Sequence, residues 1–125
     1  IRMLLEDMLA DLGYDVAAAV GSIAEAVERT RRTVSHMIKI EVECETLEQV
    51  KEAIEAGAEV VLLDNMDPFM MREAVKEFSE RCLFEASGGI GLDTVRGVAQ
   101  TGVDFVSLGM LTHSAPALPF HLEIE

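Results

Sequence analysis

The sequence is poor in several things that would narrow its role. It has no Trp, one Tyr and five Phe among 125 residues, so Ala, Val, Leu and Met must build the core. Basic side chains number ten against 23 acidic ones, a formal charge of −13. A surface of that sign repels a nucleic-acid backbone and an anionic membrane, and neither is expected as a partner. Small anions such as phosphate or sulfate remain candidates wherever local backbone dipoles outweigh the global charge. Only two cysteines are present, Cys44 and Cys82, far apart and without metal-type spacing. They read as reduced core thiols, which favours a cytoplasmic setting. No apolar run reaches the roughly 18 residues that a membrane span needs, and no signal peptide is visible. No Ser-His-Asp or Cys-His nucleophile set and no zinc spacing stands out.

What is present is an alternation of helix-like and strand-like segments over one expected domain, residues 1–125. Leu4, Leu5, Met8, Leu9 and Leu12 fall on one helical face, stopped by Gly13. The chain opens at Ile1 inside this pattern, which implies residues upstream. A strand is expected over 14–20. Ser22 with Glu25 predicts a capped helix to about residue 34, and Thr46 with Gln49 another that ends at Gly57. Strands are expected over 37–43, 60–64, 82–86 and 103–108. Pro68 starts one further helix and residues 92–100 form another. Residues 112–120, with two prolines, read as loop, and 120–124 as a last strand. About five βα units with short connections imply a parallel α/β sheet. A flavodoxin-like open sheet is the expected form, with a partial α/β barrel as the alternative. Five units are too few to close a standard barrel, and open edges could drive homo-oligomer formation.

In such sheets chemistry gathers at the C-terminal ends of the strands. Those ends carry Glu43, then Asp64 followed by Asn65, then Ser87-Gly88-Gly89-Ile90, then Gly109 with Thr112 and His113 beyond. The four ends are expected on one rim. The glycines let the backbone approach a ligand, and the amides ahead of the next helix point at an anion. Gly109 could complete the cup from the next strand. The same glycines also suit plain tight turns. Glu43 and Asp64 could hold Mg2+ or orient ribose hydroxyls, or be two solvated carboxylates in an acidic protein. His113 could donate to a phosphate oxygen; His36 and His121 suggest no role. Met66, Met70 and Met71 read as helix packing.

The residues that carry these features resemble a known family. The runs Lys39-Ile40-Glu41-Val42-Glu43-Cys44, Ala56-Gly57-Ala58, Val61-Leu62-Leu63-Asp64-Asn65 and Phe84-Glu85-Ala86-Ser87-Gly88-Gly89-Ile90 come first. Gly102-Val103-Asp104 and Gly109-Met110-Leu111-Thr112-His113-Ser114 follow. In order and spacing they resemble the C-terminal barrel region of quinolinate phosphoribosyltransferase over about residues 21–125. The resemblance implies an incomplete α/β barrel. It also implies transfer of a phosphoribosyl group from phosphoribosyl pyrophosphate to quinolinate, with Mg2+ and loss of carbon dioxide, in NAD biosynthesis. It assigns Glu43 and Asp64 to the ribose and metal. Ser87, Gly88 and Gly109 fall to the phosphate turns and His113 to a phosphate contact; Gly89 is a phosphate-binding candidate from the turn itself. That family grips its dicarboxylate with arginines, a histidine and a lysine, many of them upstream. The lysine belongs to a strand end that is here residues 14–20, which contain neither Lys nor His.

Residues 1–20 are instead similar to the start of a response-regulator receiver domain, through Ile1-Arg2-Met3-Leu4-Leu5-Glu6-Asp7-Met8-Leu9 and Leu12-Gly13-Tyr14-Asp15-Val16. The two resemblances together lead to the expectation of an engineered chimera, spliced at residues 20–34. Such a chimera would lack native turnover, need no cofactor and retain a latent phosphate site, with Mg2+ required only if phosphoribosyl pyrophosphate still binds. The alternative is a phosphoribosyltransferase fragment.

Overall fold

The computed structural model describes residues 21–112 and Glu123. The helix expected at the amino end, the strands at 14–20 and 120–124, His113 and His121 lie outside the described residues. The elements in chain order are α1 (Ile23–Thr33), β1 (Glu41–Cys44), α2 (Leu47–Ala56), β2 (Val60–Asp64), α3 (Pro68–Phe78), β3 (Leu83–Ser87), α4 (Val95–Ala99) and β4 (Phe105–Val106), with a 3-10 turn at Gly109–Leu111.

Local chemistry sets most of these boundaries. The Ser22 hydroxyl accepts from the Glu25 amide at 3.2 Å, and Glu25 reaches back to the Gly21 amide at 3.3 Å. Thr46 and Gln49 repeat the device: Thr46 Oγ1 accepts from Gln49 N at 3.3 Å, and Gln49 Oε1 from Glu45 N at 2.7 Å. Asp67 caps α3 by accepting from the Phe69 and Met70 amides, with Pro68 in the first turn. Gly57 ends α2 in the left-handed region, at φ 96°.

The first strand is shorter than its alternation predicts. Residues 35–38 form a turn, with Ile38 N donating to Ser35 O at 2.9 Å. The Ile40 amide then donates to the Glu59 carboxylate at 2.7 Å rather than to a strand, so the ladder begins at Glu41. At the other edge β4 keeps two residues of the expected six-residue strand. Asp104 interrupts that ladder: its carboxylate takes the Phe84 amide at 2.8 Å while its own amide donates to Phe84 O at 2.9 Å.

The sheet is parallel throughout, in the order β1-β2-β3-β4. The expected α/β class with an open parallel sheet is therefore what the chain adopts. Its strand order follows chain order without reversal, which is the connectivity of the partial-barrel alternative. One face carries Val42, Cys44, Val61, Leu63, Phe84 and Ala86, and these pack with Val50, Ala53 and Ile54 of α2 and Met71, Ala74 and Phe78 of α3 in a single core. Phe84, Leu63, Val61, Val50 and Cys44 are fully buried. Met66 and Met71 are buried and Met70 packs against the core, as the packing reading expects. Both thiols are free and buried. The opposite face carries Glu41, Val60, Glu43, Leu62, Asp64, Leu83, Glu85 and Ser87, all exposed or half-buried except Val60, which is buried.

Candidate functional site

Parallel register puts the four strand ends on one rim, in order. Asp64 stands beside Ser87 in the β2–β3 ladder, and Glu43 is paired with Leu62, two residues short of Asp64. One strand spacing and two residues of rise separate the Cα atoms of Glu43 and Asp64 by about 8 Å. The two carboxylates thus share a face and a rim without touching. Among the described residues no group of three or more His, Cys, Asp or Glu side chains could hold a metal ion. The described residues supply no metal cage there. The pair suits instead a Mg2+ that arrives on a polyphosphate and keeps most of its waters.

The glycine turn is built more tightly than its composition required. Gly88 and Gly89 both take positive φ, 92° and 58°. At Gly88 there is no room for a side chain. A Cβ there would lie 2.3 Å from Asn65 Oδ1, 2.5 Å from Asn65 Cγ and 2.8 Å from Asn65 N. At Gly89 a Cβ would meet nothing within 4 Å. The turn encloses a cleft of about 440 Å3, lined by Ser87, Gly88, Gly89, Ile90 and Gly91 on one side and by Ser107, Gly109 and Met110 on the other. Gly109, in the 3-10 turn beyond β4, lines the same cleft. Among the described residues, the amides of Gly88, Gly89, Ile90, Gly109 and Met110 donate no hydrogen bond. Donors left free around a concave, glycine-lined space suit an anion.

The helix expected straight after this turn starts later. Helix α4 begins at Val95 and has five residues. Thr94 holds the intervening bend: its hydroxyl accepts from Gly91 N at 3.0 Å, and Val95 N donates to Gly91 O at 2.9 Å. The free donors are therefore turn amides, and the helix dipole that the sequence suggested plays little part.

Sequence reasoning passed over two neighbours of the cup. Asn65 appeared only as the residue after Asp64. It takes a left-handed φ of 53°, donates its amide to Ser87 O at 3.0 Å, and donates Nδ2 to Asp64 Oδ2 at 2.8 Å. An Asn directly after a strand, where few side chains other than Gly tolerate positive φ, was the available signal. Glu85 lies on the open face and accepts from the Ser107 hydroxyl. The signal was a charge at an interior strand position, which alternation puts opposite the core. Burial, and then the Glu85 charge, raise the Glu41 carboxyl above its ordinary range. Repulsion of this kind on the open face would also disfavour a bound anion beside Glu85. The cup lies at the carboxyl end of the strands, beyond Glu85, where backbone donors take over.

A singly wound parallel sheet with its helices on one face, and with a glycine-lined cup on its C-terminal rim, defines a piece of an α/β barrel wall. Comparison makes this specific. The family model of the quinolinate phosphoribosyl transferase C-terminal domain matches residues 2–123, and the chain belongs to that family. It is 45% identical over 107 residues to the probable nicotinate-nucleotide pyrophosphorylase (carboxylating) of Bacillus subtilis, covering 86% of this chain and 37% of that one. The probable enzyme of that name from Methanocaldococcus jannaschii is 38% identical over 130 residues, covering 98% and 45%. The nicotinate-nucleotide pyrophosphorylase structure from Ehrlichia chaffeensis superimposes with a TM-score of 0.71 at 31% identity, covering 87% of this chain and 36% of that one. The chain thus spans less than half the length of these relatives. The match begins at residue 2 and so runs through the segment that resembled a receiver. The expectation of a chimera finds no support in these comparisons, and no splice is needed to account for residues 2–20. No helix among the described residues is long and apolar enough to cross a membrane.

Proposed function

We propose that this chain is part of a nicotinate-nucleotide pyrophosphorylase (carboxylating), one α/β unit over residues 1–125 that holds the phosphoribosyl end of the reaction. The observation that carries the reading is the cup of Ser87, Gly88, Gly89 and Gly109, which line one cleft beside Asp64, the amides of the three glycines donating no hydrogen bond among the described residues. In this reading the amides take the 5-phosphate of the sugar. Asp64 and Glu43 accept from ribose hydroxyls or from the water shell of Mg2+, which would neutralise the pyrophosphate leaving group. His113 adds a phosphate contact. Backbone donors fixed in advance cost no reorganisation as charge develops.

The dicarboxylate half is different. The Lys and His that the family resemblance implies at a strand end are not in residues 14–20, and the overall charge is −13. The chain alone binds the anion and does not orient quinolinate for transfer. Two measurements test this. Titration of inorganic phosphate into 15N-labelled protein should shift the Ser87, Gly88, Gly89 and Gly109 amides, and Gly88→Val should abolish the response. Quinolinate, phosphoribosyl pyrophosphate and Mg2+ incubated with this chain alone should give no sustained nicotinate mononucleotide. An unaltered response in Gly88→Val, or steady turnover, would overturn the reading.

A further inference from the structure

Two neighbouring strand ends are tied together by one residue, and nothing about the phosphate cup or the acidic pair requires that tie. We infer that Asn65 is the positioning residue of the rim. It sets the Ser87–Gly88 turn from below and aims the Asp64 carboxylate with the same side chain. The inference deepens the proposed phosphate and ribose site and rests on that reading.

Three contacts carry it. The Asn65 amide donates to Ser87 O at 3.0 Å, so the backbone leaving β2 continues to hold the end of β3 after the sheet has stopped. The Asn65 side chain sits directly beneath Gly88, where a Cβ would be 2.3 Å from its Oδ1 and 2.5 Å from its Cγ. Its Nδ2 donates to Asp64 Oδ2 at 2.8 Å. Asn suits all three demands at once. It accepts the φ of 53° that turns its amide toward β3. It is flat enough to lie under a glycine, and it carries a donor for a carboxylate. Asp at this place would keep the shape and lose the donor. Gly would keep the backbone angle and lose both the wedge and the donor. Because one planar amide fixes both groups, the spacing between the phosphate cup and the ribose-side carboxylate becomes a property of Asn65 rather than of two independent loops. Fixing such a spacing is what transfer between two bound groups requires.

The test uses the full chain, with inorganic phosphate as probe. In the anion-free protein, the 15N heteronuclear NOE of Gly88 and Gly89 should match that of the strands. It should fall in Asn65→Gly and stay high in Asn65→Asp. Phosphate affinity should drop about fivefold in each variant, the size expected for one lost fixing contact. In Asn65→Asp the cause is the added charge beside Asp64, and in Asn65→Gly it is the loosened turn. Val50→Ala, a cavity in the core of α2, supplies a destabilised control that should leave the phosphate affinity unchanged. A turn that stays equally ordered in Asn65→Gly overturns the inference whether or not phosphate binds. So does an affinity loss in Val50→Ala as large as that in Asn65→Gly, because Asn65 would then act only through global stability. If wild-type protein shows no phosphate response, the proposed site fails, and the NOE arm still decides whether Asn65 sets the turn.

Discussion

Replacing Gly88 by Ala is the sharpest probe of how the cup is built, because its neighbour Gly89 supplies an internal reference. Both residues have positive φ, 92° and 58°, so Ala at either one meets the same kind of backbone penalty, about 1–2 kcal/mol. They differ in what the new methyl would touch. At Gly89 it meets nothing within 4 Å. At Gly88 it lies 2.8 Å from the backbone nitrogen of Asn65 and closer still to its side chain, so Asn65 must move. Movement gives up its bonds to Ser87 O and to Asp64, each contributing about 1 kcal/mol. Gly88→Ala should therefore be less stable than Gly89→Ala by about 2 kcal/mol. At a urea slope of about 1–1.5 kcal/mol/M for a domain this size, that separates the two midpoints by roughly 1.5 M. Urea unfolding of both variants followed by far-UV circular dichroism makes the measurement. Midpoints that coincide within about 0.3 M would show that Asn65 does not brace the turn.

Two further outcomes follow from the other edge and from the core. Glu59 has its carboxyl held below the ordinary range, first by the Ile40 amide and then by Arg31. Its folded-state value is lowered, so its stabilisation is present above about pH 4.5 and is lost as pH falls toward the folded-state value. Glu59→Gln should flatten the acid limb of the stability profile in that window, and a profile that superimposes on wild type would remove the role assigned to the contact. Burial pushes both Cys44 and Cys82 up to about 11. Neither thiol should react with an aromatic disulfide reagent at pH 8 until denaturant is added, when two equivalents should be released; fast native labelling of either one would contradict its burial.

The elements that the sequence predicted well were those governed by local chemistry. The capping pairs at Ser22 and Thr46, the proline start at Pro68 and the glycine stop at Gly57 all act within one turn of chain, and the helices begin and end where those residues say. The strands at Met37 and Val103 were overextended for the opposite reason. Alternation sees neither the Glu59 carboxylate that takes the Ile40 amide nor the Asp104 carboxylate that takes the Phe84 amide, and both contacts join residues about 20 apart. The rim residues were legible because strand ends can be located from hydrophobic runs. Asn65 was not. Its role depends on Gly88 lying above it, a contact across strands that no spacing in the chain records. The choice between an open doubly wound sheet and a barrel wall was likewise hidden, because it depends on which face each helix covers.

Serial strand order has a consequence for how this protein assembles. Each strand pairs with the next one along the chain: Glu41 meets Val60, Val60 meets Leu83, and Glu85 meets Phe105, so every closure spans about 20 residues. Parallel pairing is ordinarily slow because its loops are long, but here each loop is a short helix that packs on its predecessor. The wall can grow one βα unit at a time, and each unit adds its own group to the rim: Glu43, then Asp64, then the glycine turn, then Gly109. Shortening the chain from its carboxyl end should thus shed rim groups one by one and leave the preceding units paired.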